Sequence, residues 1–354
     1  MKKILIMVLI LVMVISFVGC GANESTGDKT SDKGVAEKAE ESESAEAKVI
    51  KIGHGASESY HMHRALVEFK AQLEKDGMFV VEIYPSSQFG NDAEMIESVK
   101  KGDITMAVPP SSFLTDEAPE MALIELPYVF PSRDHAIETL KGEWGQSQLM
   151  ALEDAQLHGL GYLENGLRHL TNSKLAVKSP EDLKGLKLRT MQVPAHVYLW
   201  NDLGATAEGA PFAELYTNLS TKVFDGQENP VAHIYSQKFF EVQDYITLTG
   251  HVYTAYVPLM GLDFWNSLND AEQTAIDEAF ELSRVYQLDL INAEESAQLD
   301  EIAANTSYPT EVIELTVAEK QVFIDAAQPT LNHYREEVGV EAYDRFADAV
   351  KASK

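Results

Sequence analysis

Between Val49 and Val108 the chain alternates short β-rich runs with amphipathic ones, and that rhythm limits the fold more than any other feature. Val49 to Gly53 reads as a strand, and His61 to Leu73 carries Leu66, Phe69 and Leu73 at helical spacing. Phe79 to Tyr84 reads as a second strand stopped by Pro85. Asn91 is placed to cap a helix through Lys100, and Ile104 to Val108 reads as a third strand. A β-α-β-α-β order predicts a mostly parallel sheet with helices on its faces. The rhythm returns at Lys187 to Thr190, a helix after Pro194, a strand at Val223-Phe224 and a helix after Pro230. From about Asn269 to Asn305 runs an amphipathic stretch with Ile276, Phe280, Leu288, Ile291, Leu299 and Ile302. At about 1.5 Å per residue it reaches roughly 50 Å, enough to cross two domains. The chain of 354 residues has room for two such domains. The expected fold class is therefore α/β: two α/β lobes joined by crossing segments.

The amino terminus speaks to compartment. Lys2 and Lys3 precede Ile4 to Val18, apolar apart from Ser16, which has the form of an export signal and is too short for a stable span of about 20 residues. The stretch ends in Phe17-Val18-Gly19-Cys20, small residues before a cysteine as in a bacterial lipobox, with Phe17 where Leu is usual. Cys20 is the chain's single cysteine. The expectation is a lipoprotein signal peptide over 1–19, acylation of Cys20, and an extracytoplasmic body held to the outer face of the membrane by that lipid anchor. From Gly21 to about Lys48 a single Val and no aromatic residue interrupt small and charged residues. Such a segment buries too little apolar surface to offset its ordering entropy, so 20–48 reads as a disordered acidic tether.

Charge excludes some partners. With 56 Asp and Glu against 28 Lys and Arg, the net charge of −28 leaves no basic face to displace the counterions of nucleic acid. One cysteine excludes a disulfide framework and any cysteine-built metal cluster. There is no phosphate loop, no G-x-G-x-x-G and no G-x-S-x-G. His61 and His63 stand two apart on a predicted helix, where side chains do not face each other, so they read as surface or helix-cap histidines rather than metal ligands. No catalytic residue, cofactor or metal is expected.

Three segments carry candidate chemistry. Gly166 to Asn172 places Arg168 in a β-like run after a turn; Asp182 to Arg189 ends a strand on Arg189; Asp225 to Pro230 forms a strand-to-helix turn with Asn229 beside a helix start. Ligands of open α/β sheets lie beyond the carboxyl ends of strands, and arginine binds carboxylates through a planar fork. On the residues alone, two readings stand: a positive pocket for an anion, or arginines paired with surface acids.

Taken in order, G-x-R-x-x-T-N, D-L-K-G-L-K-L-R and D-G-Q-E-N-P resemble the DctP-type solute-binding proteins of tripartite ATP-independent periplasmic (TRAP) transporters. Tyr84 to Gly90, Glu125 to Phe130 and Pro211 to Tyr216 extend the resemblance, which spans roughly Lys51 to Ala349. The resemblance implies a bilobal periplasmic-binding-protein-like fold with a hinge, a long helix spanning both lobes, and closure around one solute. Lobe I is expected over 49–165 plus about 255–294, and lobe II over 166–254 plus about 295–354. It also implies that Arg189 clamps the substrate carboxylate, that Arg168 assists it, and that Asn229 contacts the same group while Phe212 packs on the ligand. His54 and Gln88 are candidate polar contacts from lobe I. The partners so implied are a small-molecule carboxylate and the small and large membrane permease subunits, driven by an ion gradient.

Relatives that bind sialic acid have Asn and Glu where this chain has Gly55 and Val108, so sialic acid is not expected. Val108 to Pro110, Met191 and Trp200 read as an apolar pocket wall or as core. A mono- or dicarboxylate, or a keto or aromatic acid, is the expected solute. The alternatives are a ligand-binding module for a sensory kinase, a binder for an ATP-driven importer, and a lipid-anchored hydrolase. Neighbouring genes for permease subunits or for a kinase separate the sensory module from the transport receptor, and the D-G-Q-E-N-P turn argues against the ATP-driven importer.

Overall fold

The computed structural model describes residues 47–353. The signal peptide over 1–19, Cys20, and the tether over 20–48 except its last two residues therefore lie outside the described residues.

The first third of the chain folds in the expected order: β1 (Lys48–Gly53), α1 (His61–Leu73), β2 (Phe79–Tyr84), α2 (Asp92–Lys100) and β3 (Met106–Ala107). Asn91 caps α2 by accepting from the Glu94 amide, while the Glu94 carboxylate accepts from the Asn91 amide, so two unpaired donors of the first turn are satisfied. The third strand is only two residues long, with Ile104 and Val108 beside it in the core. Helices α3 (Arg133–Lys141) and α4 (Glu143–Ala151) then lead to β4 (Leu157–Gly159), β5 (Leu163–Leu167), β6 (His169–Asn172), β7 (Lys187–Thr190) and α5 (Pro194–Asp202). Next come β8 (Thr206–Gly209), α6 (Leu215–Ser220), β9 (Gly226–Asn229), α7 (Val231–Ser236), β10 (Tyr245–Thr247), β11 (Tyr253–Tyr256) and β12 (Leu259–Gly261). The chain closes with α8 (Leu262–Asn266), α9 (Asp270–Ala303), β13 (Glu311–Ile313), α10 (Val317–Ala326), α11 (Gln328–Glu337) and α12 (Val340–Ala352).

Two sheets organise these elements. The first has the order β2-β1-β3-β12-β4, the second β13-β10-β6-β9-β7-β8, and β5 pairs with β11 in a separate two-stranded ribbon. Both large sheets are mostly parallel, as expected, with one strand reversed in each. In the first, β12 runs antiparallel to both β3 and β4; in the second, β6 runs antiparallel to β9 and β10. Strands linked by a helical crossover lie parallel, as β1 with β2 and β7 with β8. Strands that enter a sheet on a return pass of the chain do not obey that rule. One correction concerns Val223-Phe224, which lies ahead of a strand: the strand is Gly226–Asn229. Its residues Gln227, Glu228 and Asn229 are polar and buried, so hydrophobic patterning points to the wrong place.

Helix α9 runs 34 residues, about 50 Å at 1.5 Å per residue. Ile276 and Phe280 near its start pack with Ile50, Ile52 and Phe69 of the first sheet's core. Ile302 near its end packs with Leu219, Phe224 and Ile246 of the second. It therefore braces both halves. His61 and His63 correct another expectation. Neither is a surface or capping group: His61 is buried against Gln287 of α9, whose Nε2 lies 3.0 Å from its Nδ1, and His63 Nδ1 lies 3.0 Å from His54 Nε2.

Candidate functional site

Register in the second sheet brings the three candidate segments together. In β6, His169 faces Asn229 and Leu170 faces Glu228; in β7, Arg189 faces Gln227. Strand β9 thus lies between the other two. Its carboxyl end, that of β7 and the start of β6 share one edge. Arg168 immediately precedes β6, Arg189 lies in β7, and Asn229 is the last residue of β9. All three line one cavity of about 40 Å³, with Phe212, Met191 and Tyr256 among its walls and Gly55, Ala56 and Asp92 contributed from the first sheet's side.

Arg168 is fully buried. Its Nε donates to Glu228 Oε2, and its Nη2 donates to Glu228 Oε1 at 2.9 Å and to Asn229 Oδ1 at 3.2 Å. Burial alone would favour a neutral Glu228, but Arg168 and His196 overcome it and hold the carboxyl well below the usual range. Arg189 is held differently. Nε donates to the Ala210 carbonyl at 2.8 Å and Nη2 to the same oxygen at 2.5 Å, with no carboxylate in direct contact. Burial presses its guanidinium down to about 9; Glu228 and Asp92 work against that shift and Arg168 with it. Its Cζ stands 5.9 Å from the centre of the Phe212 ring. In both arginines Nη1 is buried and has no hydrogen-bond partner. Two cationic donors on one cavity wall, each with an unused N–H group, form an arrangement an incoming anion completes.

Behind the arginines lies a polar network that sequence reasoning did not see. His196 of α5 stands between two carboxylates, its Nε2 3.1 Å from Glu125 Oε2 and its Nδ1 3.4 Å from Glu228 Oε1. Burial opposes its charge, yet the two carboxylates prevail and raise its pKa. Ser111 donates to Glu125 Oε1 at 2.7 Å and Thr254 to Oε2 at 3.1 Å. His251 Nε2 lies 3.1 Å from Glu228 Oε2. Glu228 stands inside the D-G-Q-E-N-P segment, so the motif held it; Glu125 and His196 are 71 residues apart and carry no joint signal.

The other sequence candidates divide. Arg189, Arg168, Asn229 and Phe212 share the cavity. His54 and Gln88 are not on its walls. His54, fully buried, turns toward α1 to meet His63, while the next residues Gly55 and Ala56 reach the cavity; Gln88 is exposed on the turn after β2. Asn91 and Asp92 take the place expected of them. Met191 lines the cavity, whereas Val108 and Trp200 are core. Tyr60, Asn165, His233 and Tyr256 were missed; they form an aromatic and amide end to the site. Larger hollows of about 1150 and 670 Å³ open around Trp144 and Phe280. Their cations are already engaged: Arg345 with Glu120, Lys141 with Glu138 and Arg284 with Glu281. Among the described residues no three His, Cys, Asp or Glu side chains are grouped to hold a metal ion, and no helix is long and apolar enough to cross a membrane.

Comparison with known proteins gives the family. The model of the DctP family, bacterial extracellular solute-binding protein family 7, matches residues 52–337. A 2,3-diketo-L-gulonate-binding periplasmic protein of Escherichia coli is 34% identical over 256 residues, 72% of this chain and 78% of its own. A C4-dicarboxylate-binding protein of Bacillus subtilis is 30% identical over 307 residues, 86% of this chain and 87% of its own. Among solved structures, a sugar acid binding protein of Advenella mimigardefordensis in complex with galactonate superposes with a TM-score of 0.83 at 30% identity, covering 87% of this chain and 99% of that one. The chain belongs to the DctP family of extracellular solute-binding proteins, and its fold is the bilobal α/β fold of that family.

Proposed function

We propose that this DctP-family protein is the extracytoplasmic receptor of a TRAP transporter, taking an organic acid anion into the cleft between its lobes and delivering it to membrane permease subunits. The observation that carries this reading is the pair of unpartnered Nη1 groups on Arg168 and Arg189 in one cavity. Arg189 is the clamp: its Nε and Nη2 are fixed by the Ala210 carbonyl, which leaves Nη1 for the carboxylate. Arg168 is held rigid by Glu228 and adds a second donor, and Asn229 and Phe212 complete the contact. The related proteins with named solutes bind a diketo sugar acid, C4-dicarboxylates or galactonate, all of them carboxylates.

Residues 49–165 with about 255–294, and 166–254 with about 295–354, act as the two bodies that close on the solute. The anion bridges them and shifts the population toward the closed form. The function is binding, with the acid released unchanged. Cys20 is the acylated residue, so the receptor stays at the outer face of the membrane; Cys20→Ser would release it into the medium. The solute reading is tested by unfolding and refolding the protein to strip captured ligand, then titrating it calorimetrically with a panel of organic and sugar acids. One acid should bind 1:1 with micromolar affinity or better, about −8 kcal/mol, and be recovered intact. Silence from every carboxylate would overturn the reading.

A further inference from the structure

We propose that His233 and Asp92 make this cleft select a monocarboxylate bearing hydroxyl or oxo groups over a dicarboxylate, with His233 Nδ1 contacting an uncharged oxygen of the bound acid. The inference rests on the receptor reading above and narrows its solute.

The cavity's cations all stand on one wall. Arg168 and Arg189 are its only Lys or Arg residues, both from the second sheet. The remaining polar lining is neutral or acidic, and Asp92 is its one carboxylate. An acid whose carboxylate occupies the arginines therefore projects its other end toward amides, an imidazole and Asp92. A second carboxylate there would be desolvated with no cation to meet it and a like charge nearby. A hydroxyl fits instead, because it can donate to Asp92 and accept from a ring or amide N–H. Gly55 supports this use of Asp92: even a Cβ at that position would stand 3.9 Å from Asp92 Oδ1, so the missing side chain keeps the approach to the carboxylate open. Burial raises the Asp92 carboxyl to about 6 while Arg189 pulls it down, which leaves it mostly ionised at neutral pH.

His233 is built as a fixed, neutral reader. It is 3% exposed, its ring stacks on Tyr60 with centroids 3.9 Å apart, and the Phe212 ring stands 4.9 Å away on the cavity. Its Nε2 meets the Tyr256 hydroxyl at 2.9 Å, while Nδ1 is buried without a partner. Tyr60 is tied in turn to Asn165 Oδ1 at 2.7 Å, so the whole end of the site is braced. Burial, with His61, Arg168 and Arg189 nearby, holds the imidazole well below its usual pKa. It therefore stays uncharged and cannot serve as counter-ion to a second carboxylate. A buried ring nitrogen without a partner, on the wall of a ligand cavity, discriminates by leaving the wrong ligand unpaired.

The test titrates the full chain with two length-matched pairs: D-erythronate against succinate, and D-galactonate against adipate. At the preferred length the hydroxy acid should bind at least tenfold tighter than the diacid. His233→Phe keeps the ring and its stacking; it should weaken the hydroxy acid at least tenfold and shift the diacid less than threefold. Asp92→Asn should strengthen the diacid. A diacid that binds as tightly as its hydroxy partner overturns the inference and leaves the receptor reading standing. So does equal weakening of both classes by His233→Phe, which would make the histidine merely structural. If neither these four acids nor any other acid of the wider panel gives heat, the receptor reading itself falls.

Discussion

Glu228 grips Arg168 along one edge of its guanidinium, with Nε bonded to one carboxylate oxygen and Nη2 to the other at 2.9 Å, both side chains fully buried. The pair is a support for the site as well as a part of it. It fixes one face of Arg168 and leaves Nη1 turned away from Glu228. Arg189, two strands across, has no such partner, and its charge is balanced only at a distance.

Glu228→Gln should therefore destabilise the fold. It leaves Arg168 buried with its charge uncompensated, a change that costs about 3 to 5 kcal/mol when one member of a buried pair is removed. Urea unfolding followed by circular dichroism measures the shift. A midpoint within error of wild type would show that Arg168 reaches solvent or another acid in the folded state.

Arg189→Lys should bind the solute poorly without loss of stability. Lysine brings a point charge and cannot both grip the Ala210 carbonyl through two nitrogens and present a third. Affinity should fall at least a hundredfold, about 3 kcal/mol, while the melting temperature holds. Normal binding by the lysine variant would mean that charge alone suffices.

The buried imidazole of His61 sets a pH dependence. Burial, reinforced by Arg133 and Arg64, lowers its pKa from 6.5 to about 3. Between those values the unfolded chain binds a proton that the folded chain refuses, so His61's contribution is present above pH 6.5 and lost as pH falls. Stability of His61→Gln should accordingly decline less than wild type between pH 7 and pH 5, by about 2 kcal/mol. His196 has the opposite sign: its raised pKa stabilises below the unfolded value and is lost as pH rises through the folded one. Parallel stability curves for His61→Gln and wild type would rule out the buried neutral imidazole.

Asn269 caps the 34-residue helix by accepting from the amides of Ala271 and Glu272, each at 3.0 Å. Asn269→Ala should cost about 1 kcal/mol. An unchanged denaturation midpoint would mean that packing alone defines the start of α9.

Helix starts were the most legible part of the sequence, because caps and apolar spacing act locally: α1 spans His61–Leu73 as read, Asn91 caps α2 as read, and the long amphipathic stretch read from about Asn269 to Asn305 is helix over Asp270–Ala303. Strand β9 was not legible, since its buried residues are polar and their partners, the ladders of β6 and β7 and the side chain of Arg168, come from distant segments. Arg168 and Arg189 stood out as strand-end arginines in an acidic chain, and the family resemblance gave them roles. His54 and Gln88 stand off the cavity, because a position near a strand end does not say which way the side chain turns. His54 points at α1 and its neighbour Gly55 at the cavity. The Glu125–His196–Glu228 network was out of reach, since nothing local marks three residues that meet only after folding.

The central claim is that one carboxylate completes the two arginines. It is tested most directly by a crystal structure of the protein with the acid that titrates most tightly. The account predicts both carboxylate oxygens within about 3 Å of the Nη1 atoms of Arg189 and Arg168, with Asn229 beside them. An acid bound with its carboxylate elsewhere, and those Nη1 groups still unpaired, would contradict it.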